Sequence, residues 1–599
     1  MCRNTPTTTS SIPWRTDKTT SIMAYRALTD EEINILDDNG CWAEDWGNVS
    51  VSDDFVPQYM RHVMLYGEIT IGCFSKNVEV SQGFLKHSGI YNATLRNVSV
   101  GDDCLIENVG NYINNYTIGN DCRLANIATM ETTEGATYGQ GNIVSVLSET
   151  GDGNVMFFNG LSSQVADLMV KHNRDKDFRS AMRRLIGEDI KATAPDRGTL
   201  GDGVKIVNTK EITNALVGDE CEINGAARLS DVTILSSPEA TVYIGTGVIC
   251  ENSIISNGAS LANSVKMQDC FVGEACKISN GFTASQSVFF ANCFMSNGEA
   301  CSAFCGPFTV CHHKNTLLAG SRYSFCDVDS AASLYSKTLH PGTCDLPFSC
   351  IIADGDALRL EPGRNICSAE LYRNTHKWPR RDVRTREMRK SIVNFDWLSP
   401  YSLGEIIKGK KILEGLLSAS GEDARTYNYH EFTISAPSLR DGIRYYDMAL
   451  RIYIGAALER ALNREQALTP PDTEVGPAPW DDLSGLLLPA TEEERLVNDV
   501  KTGELDSVDA VLCRLVDIDA CYVEYQWAWT YRLILNHYNL QGLDDESLAH
   551  VTHDCQTARK EWIDGIRKDA EKEFKKGYME PEAFDSFCSQ LDQELEPDN

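Results

Sequence analysis

Between residues 67 and 355 the chain keeps returning to one short frame: an aliphatic residue, a glycine, two mostly polar residues, then a small or β-branched one. It reads Ile71-Gly72-Cys73-Phe74-Ser75, Val100-Gly101-Asp102-Asp103-Cys104, Ile118-Gly119-Asn120-Asp121-Cys122, Val217-Gly218-Asp219-Glu220-Cys221 and Val272-Gly273-Glu274-Ala275-Cys276. Leu200-Gly201 to Val204 and Ile244-Gly245 to Val248 share it. Val100 and Ile118 are 18 residues apart, and Leu200 and Val217 are 17 apart. Eighteen residues make three hexapeptides, one coil of a triangular parallel β-helix. Internal repetition at such a period constrains a fold more tightly than any composition does. The frame predicts an aliphatic side chain stacked inside the prism and a glycine at the corner, where positive φ penalises a side chain. The position that often holds cysteine is predicted to be small and inward-facing, with the thiol acting as a compact hydrophobe.

The same frame resembles the left-handed hexapeptide β-helix of the trimeric acyltransferase superfamily. It is broken at residues 161–192, where Val165, Leu168, Met169, Phe178, Met182, Leu185 and Ile186 recur at helical spacing. The expected organisation is a tail over 1–24 and an N-terminal cap over 25–66. A left-handed β-helix follows over 67–384 with a helical insertion at 161–192, then an α-helical domain over 385–599. Residues 40–66 are expected to close the first coil, because an open solenoid end exposes unpaired strand edges.

Tryptophan separates the two halves: none lies between Trp46 and Trp378, and six follow. Helices are expected at Leu403 to Leu417, Leu439 to Leu462, Val508 to Leu540, Glu546 to Lys576 and Pro581 to Leu595. An acidic Pro-rich linker is expected over 469–494. The run holding Tyr522, Tyr525, Trp527, Trp529 and Tyr531 is more apolar than one helix face needs, so it is either a bundle core or a subunit contact.

The chain of 599 residues carries a formal charge of −31, with 86 acidic and 55 basic side chains. Residues 385–599 hold 41 acidic and 23 basic groups, so 18 of the 31 excess negative charges lie there. That balance argues against general nucleic-acid binding. No window approaches the apolar length of a membrane-spanning helix. The first 22 residues are rich in Ser and Thr and lack the apolar core of an export signal. The 21 cysteines are odd in number and follow no secretory signal, which disfavours a disulfide framework. A reducing cytoplasm is the expected location.

Chemistry points first to Phe308-Thr309-Val310-Cys311-His312-His313-Lys314-Asn315. On a strand the two histidines face opposite sides, and an outward imidazole suits a general base. Lys314 would hold a phosphate or a sugar carboxylate, and the alternative for the pair is plain surface. Cys301, Cys305 and Cys311 beside His312 form a loose cluster without metal-ligand spacing, so no metal site is assigned. The one basic stretch holds Arg364, Arg373, Lys377, Arg380, Arg381, Arg384, Arg386, Arg389 and Lys390. Lys377, Arg380 and Arg381 are anion-binding candidates; the competing reading is an ion-pair network with the acidic helices. Asn114 and Asn115 are read as a sugar contact or an asparagine corner.

At Ile113-Asn114-Asn115-Tyr116, Val146-Leu147-Ser148-Glu149, Cys311 to Asn315, Asp345-Leu346-Pro347-Phe348-Ser349 and Lys377 to Asp382 the chain also resembles an uncharacterised bacterial family. That family combines a hexapeptide-type β-helix with a helical domain. The match departs at Ser321 to Thr343, a segment that looks shortened, and leaves His340 as a further candidate. Together the resemblances imply a homotrimer that acts on a small-molecule substrate. The implied reaction is acyl transfer from acetyl-CoA or another acyl-CoA to a sugar, nucleotide-sugar or small-molecule hydroxyl or amine. His312 or His313 would be the base, and Lys314, Asn315, Asn114, Asn115, His340, Lys377, Arg380 and Arg381 the substrate contacts. The competing class is a non-catalytic scaffold or a sugar-phosphate-binding protein.

Overall fold

In the computed structural model, which describes residues 25–151, 153–314, 316–327, 344–354, 357–421, 424–464, 469–471, 479–577 and 580–594, the repeated aliphatic positions become hydrogen-bonded neighbours. Val100 pairs with Ile118, Ile118 with Leu200, Leu200 with Val217, and Val217 with Ile234. The same ladder runs on through Ile255, Val272, Phe289 and Cys305. A second ladder passes through Ile106, Leu124, Ile206, Ile223 and Ile244, and a third through Ile113, Met130, Ile212 and Leu229. All three bury their side chains in one core. They belong to a 29-stranded sheet whose described pairings are parallel, except that Tyr25–Ala27 runs antiparallel to Val49–Ser52. The sheet already includes Trp42–Ala43 and Val49–Ser52 from the stretch expected to be only a cap.

The glycine of the frame is required for a different reason from the one expected. Positive φ falls two residues later, at Asp103, Asp121, Gly203, Glu220 and Gly247. The glycine itself is needed because successive strands come together backbone to backbone: a Cβ on Gly119 would lie 2.6 Å from the carbonyl carbon of Gly201. Next to it, side-chain oxygens cap backbone amides from one strand to the next. Asp102 Oδ1 accepts from the Cys73 amide, Asn120 Oδ1 from Asp102, and Asp202 Oδ1 from Asn120, each at 2.8 Å.

Cysteine suits the following position because its thiol is small and also donates. Cys104 Sγ donates to the Gly119 carbonyl at 3.0 Å, Cys122 to Gly201 at 3.1 Å and Cys276 to Phe290 at 3.1 Å. Each satisfies a buried carbonyl that a methyl group would leave alone. The described cysteines are all free thiols.

After helix α1 (Asp30–Asp38), the insertion forms helices α2 (Ser163–Lys171) and α3 (Lys176–Thr193), and its seven predicted apolar positions are buried. The last described strand of the large sheet is Cys326–Asp327. Strands Cys350–Asp354 and Ala357–Glu361, placed within the 67–384 unit from sequence, pair instead with Phe432–Ser435 and Thr426–Tyr429 in a separate four-stranded sheet. The helices that follow are α4 (Ala369–Arg381), α5 (Pro400–Ser420), α6 (Ala436–Leu462), α7 (Ala490–Thr502), α8 (Val508–Ala520), α9 (Tyr522–His537), α10 (Asp545–Lys576) and α11 (Pro581–Gln593). The single helix expected from Val508 to Leu540 is thus two, meeting at Cys521. Tyr522, Trp527, Trp529 and Tyr531 lie in the C-terminal core, which settles the choice between bundle core and subunit contact in favour of the former.

The described part of the expected linker is structured. Trp480–Leu483 and Leu486–Pro489 form a hairpin turning at Ser484 and Gly485, both at positive φ. Its leucines Leu483, Leu486 and Leu488 are buried against the insertion, and that burial outweighs the loop-like composition around them. The expected tail over 1–24 lies outside the described residues. No helix among the described residues is long and apolar enough to cross a membrane.

Gly119→Ala is expected to cost about 1–3 kcal/mol, because a methyl group must displace the Gly201 backbone. Gly187→Ala, in the middle of α3 with open space around it, should be neutral or stabilising by about 0.5–1 kcal/mol. Denaturant titration of the two variants measures the contrast.

Candidate functional site

Residues 382–394 form an irregular strap between α4 and α5, with a turn at Arg386–Met388, and a buried carboxylate decides where they lie. Glu274 follows strand Phe271–Val272 and is fully buried. Its Oε1 accepts the Ser391 amide at 2.5 Å and meets Arg384 Nη1 at 3.5 Å, and its Oε2 accepts from Ser391 Oγ at 3.3 Å. Arg384 also donates to both oxygens of Asp382, at 2.9 and 3.0 Å, and to the Ser391 carbonyl at 2.6 Å. These bonds hold the Asp382 carboxyl below its usual range despite its burial. Asn292 adds a bond to Asp382 from the sheet, at 2.9 Å.

The other side of the strap is read by Gln164 on α2. Its Oε1 accepts the Ile392 amide and its Nε2 donates to the Ile392 carbonyl, both at 3.0 Å. The same Nε2 reaches the Leu483 and Ser484 carbonyls of the hairpin. Insertion, strap and hairpin therefore meet at one side-chain amide.

Lys390, one residue before Ser391, is carried into the wall of a cleft of about 640 Å³. The cleft lies between sheet residues Leu216–Asp219 and Thr233–Ser237, the end of α3, the loop Phe158–Gly160 and the start of α8. The Lys390 amine is buried and donates to the Asn159 carbonyl at 3.2 Å and to Ser256 Oγ at 3.1 Å. Both partners are neutral, and removal from water pushes the amine down to about 8, against the opposing pull of Glu274. The cleft is also lined by Thr193, Thr199, Thr233, Ser236, Ser237, Asn159, Asn257, Asp189, Asp219 and Asp509; the Thr233 hydroxyl donates to the Tyr138 carbonyl and Ser236 Oγ accepts the Val242 amide. The Asn159 Oδ1 atom is buried with no hydrogen-bond donor. An acceptor left so costs about 1–3 kcal/mol unless water or a ligand supplies a donor.

The residues singled out from sequence are elsewhere, and the structure does not gather them into one site. His312 is half-buried and His313 exposed, just after strand Thr309–Cys311, with ring centroids 4.2 Å apart. The His312 ring leans on Phe294 at 6.3 Å. Lys314 is exposed beside them. None of the three lines the cleft. Asn115 occupies a positive-φ turn and donates to the Thr132 carbonyl at 3.3 Å, an asparagine corner. Seven successive pairings separate Asn114 from Cys301. At the usual strand spacing that is about 33 Å, far from the histidines. Lys377, Arg380 and Arg381 are exposed on the last turns of α4. Asn315 and His340 lie outside the described residues.

Two arginines of the basic stretch instead form ion pairs with acidic helix α10. Arg364 meets Asp569 at 2.8 Å and Arg373 meets Glu573 at 2.7 Å. Arg322 grips the buried Asp167 of α2 through two hydrogen bonds. Among the described residues no group of three or more His, Cys, Asp or Glu side chains is placed to hold a metal ion. Lys390 was legible in sequence only as one of nine cations. Its neighbour pattern, a Lys-Ser pair before the apolar Ile392 and Val393, was the single hint that it turns inward.

Residues 25–340 and 334–417 match a family described as Domain of unknown function (DUF4954), and residues 463–581 match a second, Domain of unknown function (DUF6819). The first match spans more than half of the chain, which belongs to the DUF4954 family. An uncharacterized protein of Treponema pallidum (strain Nichols) is 27% identical over 246 residues, 39% of this chain and 34% of that protein. The match thus spans about a third of that relative's length.

Lys390 gives a signed pH dependence. Its folded value near 8 lies below the 10.5 of a free lysine, so the unfolded chain binds more protons between the two. The penalty for burying a charged amine is present below pH 8 and is released as pH rises towards 10.5. Relative to Lys390→Met, the wild-type protein should therefore gain about 2 kcal/mol between pH 7.5 and pH 10. Urea titration of both proteins at the two pH values reads the difference, and a constant difference contradicts the assignment.

Proposed function

We propose that this member of the DUF4954 family winds its parallel sheet into a left-handed β-helix of the hexapeptide kind and binds a sugar or related polyol in the cleft beside Lys390. Three ladders support the winding, since each contains a 17-residue return to the same face: Leu200 to Val217 and Ile234 on the first, Ile206 to Ile223 on the second and Ile212 to Leu229 on the third. Assembly as a homotrimer goes with that reading.

The observation that carries the binding reading is the chemistry of the cleft wall. Its lining residues include five with side-chain hydroxyls, two asparagines, three aspartates and a single lysine. Among the lining residues Lys390 is the single lysine or arginine, and its amine is already held by Asn159 and Ser256, which disfavours the sugar-phosphate alternative and the nucleotide-sugar substrate. Polyol hydroxyls both donate and accept, so they can satisfy carboxylates, amide oxygens and the orphaned Asn159 Oδ1 in one wall. The volume is ordinary for a small-molecule site.

Acyl transfer from an acyl-CoA to a hydroxyl or amine of that ligand is the reaction class the repeat suggests. In this arrangement His312 and His313 are not the base for a substrate held in the cleft, because neither lines it. Polyol binding does not need them.

A thermal-shift series with hexoses, hexosamines and alditols tests the reading. At least one should stabilise the protein in a saturable way, with the effect weakened in Asn159→Leu and kept in His313→Ala. Failure of every sugar and alditol to shift the transition would contradict it.

A further inference from the structure

Buried lysines are rare unless paired with a carboxylate, because an unpaired ammonium loses its hydration without recompense. Among the described residues, Lys390 makes its hydrogen bonds with a peptide carbonyl and a serine hydroxyl, and neither carries charge. Arg384, six residues earlier on the same strap, is buried to the same degree but is neutralised directly by Asp382 and Glu274. The strap thus holds two inward cations under opposite conditions. One is locked in an ion-pair network, and the other is an amine held in a cleft wall by neutral acceptors.

A cation placed for stability alone would gain from the arrangement given to Arg384. The arrangement given to Lys390 instead favours the neutral amine, and a neutral amine is a nucleophile. Ser256 Oγ and the Asn159 carbonyl fix its direction. Asn159, whose Oδ1 is buried without a donor, is also a lining residue of the cleft. A ligand that meets both groups carries an electrophilic carbon for the amine and a hydroxyl for the amide oxygen, the pairing found on adjacent carbons of an open-chain aldose or ketose.

We propose that the Lys390 amine condenses with the carbonyl of an open-chain sugar, or of a closely related polyhydroxy aldehyde or ketone, to form an imine in this cleft. The proposal rests on the polyol-binding reading of the same site. In the step, the nitrogen lone pair forms a bond to the carbonyl carbon and the carbon–oxygen bonds are replaced by a carbon–nitrogen double bond. The carbonyl oxygen leaves as water with both hydrogens of the amine. No oxidant or reductant takes part. The three carboxylates of the wall accept from the remaining hydroxyls and keep the chain of the sugar along the cleft.

The test uses the full chain with erythrose and sodium cyanoborohydride, followed by intact-mass measurement and peptide mapping. The reductant fixes any imine as a stable secondary amine. The expected result is one adduct per chain at Lys390, forming roughly tenfold or more faster than at the other lysines at pH 8, where its amine is the least protonated. Erythritol, which has no carbonyl, should slow it by competition. Lys390→Arg keeps the charge and cannot form the imine; it should lose the adduct. Adducts spread over exposed lysines with Lys390 unmodified would overturn the imine while leaving polyol binding intact if the alditol shift persists. Loss of the alditol shift in the wild type as well would remove the binding reading. Because the mapping is read on the wild-type chain, a variant that fails to fold does not weaken the test.

Discussion

A carboxylate removed from water inside the edge of a sheet must be answered by donors, and the answer to Glu274 organises the centre of this protein. Its partners all come from one strap: the Ser391 amide, the Ser391 hydroxyl and the Arg384 guanidinium. A buried ion costs several kcal/mol when it loses its partners, so the strap has one place to lie. Gln164 then reads the opposite edge of the same strap and joins it to the 480–489 hairpin. Lys390 has its position because it is the residue next to that anchor, and the cleft has its basic group for the same reason.

The parallel sheet supplies the rigid half of this arrangement. Its frame needs glycine for close approach between strands, a left-handed residue two positions on, and a small inward residue after that. Cysteine meets the last need with a thiol that also donates to a carbonyl of the adjoining strand. The cysteine surplus is therefore a property of strand stacking. Along Leu216–Asp219 and Thr233–Ser237 the edge of the same ladders forms one wall of the cleft.

Period, insertion and helical half were legible in the sequence because each rests on a local pattern. The spacing from Leu200 to Val217 appears directly as a pairing, and Val165, Leu168 and Phe178 are buried at helical spacing. What local pattern cannot carry is contact between distant segments. Trp480–Pro489 reads as linker because its leucines find their partners in an insertion about 300 residues earlier. The site eluded the sequence for the same reason. Asn159, Ser256 and Lys390 carry no shared motif, and they meet only because the strap crosses the sheet. The conspicuous groups, His312, His313, Arg380 and Arg381, stand out in sequence by density, and density alone did not bring them together.

The central claim is that Glu274 places the strap, and through it Lys390. Hydrogen–deuterium exchange on Glu274→Gln against the wild type tests it most directly. The account predicts faster exchange across residues 382–394 and the Phe158–Gly160 loop, with the ladders on either side of Val217 unchanged. Unchanged protection of the strap, or a loss spread evenly over the sheet, would contradict it.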